Sequence, residues 1–200
     1  MTRPVAILLL VSATSAAAQE GVVSTLMTRG ADSVLAVEVS ALVDTTAEKG
    51  LPGDAVLDMA FEGLAKGVAP DRLTAALRDL ARRLEEGLTV ARSAGLDRPS
   101  PMVVLWTTTA LHRRVTRPDI RALFTAVSDD ETRVAGLTVV TALSTAGFAS
   151  GDALTVVLRR VAGGTGAADL LEIPSFAAHL ASQGEPQTSI LTRLLAGEGF

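Results

Sequence analysis

The sequence predicts an all-α domain, and three observations carry that prediction. Apolar residues recur at helical spacing, glycines close the segments they form, and prolines stand where new segments open. Val56, Leu57, Ala60, Phe61 and Leu64 line one helix face, and Leu154, Val157, Leu158 and Val161 line another. Leu73, Leu77, Leu80, Leu84 and Leu88 extend the same rhythm into a longer stripe. Gly50, Gly95, Gly147 and Gly184 follow these segments, which suits the left-handed position that ends a helix. Pro70 and Pro118 each precede an aspartate. Proline at the first helical position forfeits no hydrogen bond, and the carboxylate favours the positive end of the helix dipole.

Taken in chain order, the first element is a leader. Arg3 supplies a positive start, Val5 to Val11 an apolar run, and Ala16 and Ala18 an A-x-A cleavage site before Gln19. Residues 1–18 are therefore expected to be a signal peptide, and residues 19–200 one domain, exported to the periplasm or secreted from a bacterial host. The apolar run falls short of the roughly 20 residues that cross a bilayer, so no transmembrane segment is expected. An exported chain with no cysteine has no disulfide framework, so burial alone must stabilise it. The formal charge of −4 opposes nucleic acid and anionic membrane as partners.

After the leader, Gly30 to Gly50 forms a first helical segment whose Gly30, Ala31 and Asp32 resemble Gly166, Ala167 and Asp169. A short helix follows in 50–67 and a long one from Pro70 toward Gly95, with Asp79–Arg83 and Arg82–Glu86 as pairs on its wet side. Met102 to Thr109 is β-branched and passes for a strand on propensity, but it occupies a slot whose counterpart is helical. A further helix starts at Pro118. Ser128 to Glu131 reads as an S-x-x-E capping box, so the next helix is expected to run from there to about Thr145. Segments then follow at Gly147, at Gly166 with Pro174 as an interruption, and at Gly184.

The phrase GLTV occurs at Gly87 and again at Gly136, and both copies are read as closing turns of a long helix before its stop glycine. The stop glycines Gly50, Gly95, Gly147 and Gly184 lie 45, 52 and 37 residues apart. Two-helix solenoid repeats run about 40–47 residues. The expected architecture is thus a single domain of stacked helix pairs, either an irregular α-solenoid that resembles HEAT-like repeats or a helical bundle. The resemblance is architectural; no residue-level consensus of that family matches.

Candidate chemistry is sparse. Asp54, Asp58 and Glu62 share a helix face and could attract a divalent cation, yet they lie opposite the apolar stripe and Lys66 is placed to pair with Glu62. Asp129 to Glu131 is accounted for by the capping box, and Gly163 to Gly166 lacks the context of a phosphate loop. His112 and His179 stand apart, and no nucleophile–base motif occurs, so no catalytic residue, metal site or cofactor is expected. Phe200 echoes the last residue of outer-membrane barrels without their alternating strands. The strongest binding candidate is the basic cluster His112, Arg113, Arg114, Arg117 and Arg121, with Trp106 nearby in sequence. Guanidinium forks grip phosphates and carboxylates, so a protein or acidic ligand is the expected partner. The expected function is a non-enzymatic interaction module that binds a protein or peptide through its helical surface. A small envelope hydrolase or glycan-acting enzyme using carboxylates, and a structural envelope protein without a discrete site, are the alternatives.

Overall fold

The computed structural model describes residues 11–198, all of whose regular structure is helical. The charged start and most of the apolar run of the expected leader, together with Phe200, lie outside the described residues. The chain divides into two compact units, Met1–Arg82 and Arg83–Phe200.

The first unit contains α1 (Val11–Thr28), α2 (Ser33–Glu48), α3 (Gly53–Ala65) and the opening turns of α4 (Pro70–Ser93). Asp32 caps α2 by accepting from the Leu35 amide at 2.8 Å, which satisfies one of the donors that a helix start leaves free. Asp169 holds no such position: Gly166 precedes α9 and Asp169 lies inside it, so the likeness between the two Gly-Ala segments is compositional. Leu26, Leu35, Ala36, Val39, Val56, Ala60, Leu73 and Leu77 form the buried interior of this unit. Phe61 is half-buried, and the Arg29 guanidinium lies 4.1 Å from its ring centre.

The second unit contains the remainder of α4, then α5 (Pro101–His112), α6 (Arg117–Ala126), α7 (Asp130–Thr145) and α8 (Ser150–Ala162). It closes with α9 (Ala167–Leu170), α10 (Ile173–Ser182) and α11 (Gln187–Ala196). Helix α7 is central, packing on α5, α6, α8, α9 and α10. Its Leu137, Val139, Val140 and Leu143 are all buried. Met102 to Thr109 is helical, as its slot requires; Thr108 and Thr109 turn their hydroxyls onto the carbonyls of Val104 and Leu105 at 2.8 and 2.9 Å. Pro174 opens α10 rather than interrupting a longer helix, since its missing amide costs nothing in a first turn. The end of α11 is braced by two arginines that no sequence pattern singles out. Arg159 donates to the Leu195 carbonyl, and Arg160 to those of Gly197 and Glu198, taking up acceptors that the end of α11 leaves open.

The stop glycines fall where expected. Gly50, Gly95, Gly147 and Gly184 have φ of 73°, 96°, 98° and 83°. Each is followed by a residue whose amide reaches back to the last turn, as in Leu51 to Thr46 at 3.1 Å and Phe148 to Leu143 at 3.1 Å.

The long stripe of α4 departs from expectation at its end. Leu73, Leu77, Leu80 and Leu84 are buried, but Leu88 is only half-buried, and Gly87 and Ala91 continue the inner face. Helical periodicity allows either a three- or a four-residue step after Leu84, and the approach of α5 selects the glycine. A Cβ on Gly87 would lie 2.2 Å from Thr108 Oγ1 and 3.0 Å from the Val104 carbonyl oxygen. The second GLTV glycine is also a point of close approach: a Cβ on Gly136 would lie 2.9 Å from Leu123 Cδ1 and 3.3 Å from Val157 Cγ1. The shared phrase therefore marks helix crossings. Gly136 sits in mid-helix rather than in the closing turns.

The N-cap of α7 is displaced by one residue from the expected capping box. Asp129, not Ser128, has the extended backbone of a cap and accepts from the Thr132 amide at 2.8 Å. That amide hydrogen bond, with the Thr132 side chain second, holds the Asp129 carboxyl below its ordinary range. A carboxyl whose folded pKa is depressed stabilises above its unfolded value, about 4, and loses that contribution as pH falls through the folded one. Asp129→Ala is expected to cost about 1 kcal/mol at neutral pH. In urea titrations the gap between wild type and variant should narrow below about pH 4; a gap that is constant with pH would refute the cap assignment.

Candidate functional site

The basic cluster is built by the turn between α5 and α6. Helix α5 ends at His112, Arg113 is its cap, and Arg114 occupies the position that glycine fills at the other stops, with φ of 66°. Two backbone bonds hold it there: Arg114 to the Leu111 carbonyl at 3.0 Å and Val115 to that of Ala110 at 3.0 Å. Val115 is buried and pins the turn, while Thr116 caps α6 by accepting from the Asp119 amide at 3.3 Å. An L-residue in the left-handed region is strained by about 1–2 kcal/mol, a cost that a glycine here would avoid. Arg114 is the only non-glycine with positive φ among the described residues.

His112, Arg113, Arg114, Arg117 and Arg121 are all exposed. Arg117 and Arg121 stand one turn apart on α6 and line a shallow hollow of about 570 Å³ together with Pro118, Ala122, Thr125 and Ala126. Arg117 is also held by Glu86, with Nη2 2.6 Å from Oε1. That bond takes Glu86 to α6, where the sequence had paired it with Arg82. Arg82 meets Asp79 at 2.5 Å. The acid nearest in sequence, Asp119, accepts from the Ser150 hydroxyl at 2.7 Å. The carboxylate that reaches into the cluster thus comes from α4 and engages Arg117.

Trp106 does not join the arginines. It is half-buried on α5 and faces a different hollow, of about 630 Å³, together with Met102, Val134, Thr138 and Leu171. Six residues separate Trp106 from His112, which at 3.6 residues per turn places them on different faces of the helix. Sequence proximity groups Trp106 with the arginines; in the fold it lines a separate hollow. The Trp106 hollow had one legible signal, the pairing of Met102 with Trp106 at i, i+4.

Asp54, Asp58 and Glu62 lie along the outer face of α3, and Glu62 pairs with Lys66. The Lys66 hydrogen bond and then its charge draw the Glu62 carboxyl below its usual range. Among the described residues no group of three or more histidine, cysteine or acidic side chains could hold a metal ion. His179 is exposed and lies 3.0 Å from the Gln183 side chain. No helix of the described residues is long and apolar enough to cross a membrane. No family model, curated protein or solved structure matches the chain.

Proposed function

We propose that the chain is an exported, non-enzymatic interaction module that binds an acidic segment of a protein or peptide at the α5–α6 corner. The observation that supports this most directly is the exposure of Arg113, Arg114, Arg117 and Arg121 across the short α5–α6 junction of a chain with formal charge −4. Arg117 and Arg121 place guanidinium forks one turn apart along the α6 hollow, a spacing that suits carboxylates at successive turns of a partner helix. The strained backbone at Arg114 adds to the reading. Strain of this kind gathers at binding sites, and a glycine would do the structural work of the turn without a cation.

Stacked helix pairs related by an irregular repeat are part of this proposal. What supports them is the recurrence of a left-handed stop at Gly50, Gly95, Gly147 and Gly184, each after a helix with buried residues. Export rests on the leader motif, and places the module in the periplasm or outside the cell. Intact mass of the protein recovered from its own host should begin at Gln19; a cytoplasmic product that retains residues 1–18 would refute export.

Charge reversal at Arg114 and Arg117 together tests the corner. The double variant should lose a partner that wild type captures from envelope extract, and retain the wild-type circular dichroism spectrum. Capture should weaken with added salt, because exposed charges are screened within about 8 Å at physiological ionic strength. Retention of every partner by the folded double variant would reduce the corner to a helix end.

A further inference from the structure

We propose that the hollow beside Trp106 is a second binding site, a groove for a short amphipathic helix of a partner protein that bears a cation at one end. This goes beyond the corner reading and does not depend on it. One wall is α5, which presents Met102 and Trp106 one turn apart; the floor is α7, with Val134, Ala135 and Thr138; Leu171 closes the other side. Met102 and Leu171 are 52% and 47% exposed, so two large apolar side chains face solvent across the same hollow. Methionine and tryptophan are side chains that interface cores favour, the first because it adapts its shape and the second because it buries a large rigid area.

The size of the groove favours a helix. From Glu131 to Thr138 the floor runs seven residues along α7, which at 1.5 Å per residue is about 10 Å, or two turns of a docked helix. Ala167 and Ala168 line the α9 side, and such short side chains let another backbone come close. A helix with apolar residues at i, i+4 and i+7 meets Met102, Trp106 and Leu171 with one face.

Charge selects the end group. The lining holds two acids, Asp130 and Glu131, both at the N-terminal end of α7, and no basic side chain. Arg133 occupies Asp130 at 2.9 Å, with its own side chain 12% exposed, which leaves Glu131 exposed at the mouth of the groove. A lysine or arginine at one end of the docked helix answers that carboxylate, whereas an acidic end is repelled by it. Such complementarity acts mainly on orientation and choice of partner.

Trp106 is the single tryptophan of the chain and reports directly on occupancy. The full chain is titrated with three synthetic Leu/Ala helices of about 12 residues, three turns or more. They are identical except for two lysines, two glutamines or two glutamates at one end. The lysine peptide should shift Trp106 emission at the lowest concentration and the glutamate peptide at the highest, about tenfold apart, in keeping with charge-based selection. Glu131→Lys should reverse that order while leaving the glutamine peptide almost unchanged. Ala168→Leu should weaken all three by filling the groove, with an unchanged circular dichroism spectrum. Reversal at Arg114 and Arg117 should leave the titration as it is; loss of binding in that variant would move the peptide site to the corner and overturn the groove. Equal binding of the three peptides, insensitive to Glu131→Lys, would overturn the charge assignment. No shift with any peptide, or the same shift from dodecylamine at the same concentration, would overturn the helix as occupant.

Discussion

Leu84→Ala should cost about 2–5 kcal/mol, the range for a leucine truncated inside a packed core. Leu84 is wholly buried on α4, so its removal leaves a cavity that neighbours fill only in part. Leu88, one turn further on and drawn into the same stripe by the sequence, is half-buried. Leu88→Ala should therefore cost less than half as much. Both residues and Trp106 belong to the second unit, so urea unfolding followed by Trp106 fluorescence compares them with one probe. Equal losses would mean that the buried face continues through Leu88, and that the turn of the stripe toward Gly87 is wrong.

Gly87→Ala should also destabilise, by about 1–3 kcal/mol as for an overpacked core. In an exposed helix the same exchange gains about 1 kcal/mol, because alanine has the better helix propensity. The sign reverses here because of what the new methyl meets. The Thr108 hydroxyl, 2.2 Å from its position, can turn away only by giving up a 2.8 Å hydrogen bond to Val104. The Val104 carbonyl oxygen at 3.0 Å and the Thr108 amide at 3.2 Å are backbone, and they yield only if α5 moves off α4. Gly151 is the control: it lies in the first turn of α8 with no atom within 4 Å of an added Cβ, so Gly151→Ala should be neutral or mildly stabilising. Thermal melts of the two variants decide the matter. A Gly87→Ala protein that melts at or above wild type would show that the helices are not held at this distance.

Not every feature of α4 and its neighbours was equally legible in the sequence. The stop glycines, the start at Pro70, the end of α7 at Thr145 and the helical state of Met102 to Thr109 were legible, because backbone conformation and periodicity act over a few residues. Helix α6 starts one residue before the expected Pro118. The cap of α7 was missed by one position, Ser128 for Asp129, since two adjacent residues can both accept from the first turn and only the path of the entering chain chooses.

Site composition was less legible. Arg113 and Arg114 follow the end of α5 and Arg117 and Arg121 lie in α6, because a short link joins the helices within one stretch of sequence. Helical phase already turns Trp106 away from His112, but nothing in the sequence showed which hollow Trp106 faces, nor that Glu86, distant in sequence, meets Arg117.

By itself, then, the sequence determined the helical class, the glycine stops and the α5–α6 turn, all of which follow from local backbone preferences and the 3.6-residue period. Tertiary structure alone decided that Gly87 rather than Leu88 faces inward, that Glu86 serves α6, and that Met102, Trp106 and Leu171 surround one groove. The reason is physical: periodicity states which residues share a face of one helix, and only the packing of several helices states what each face meets.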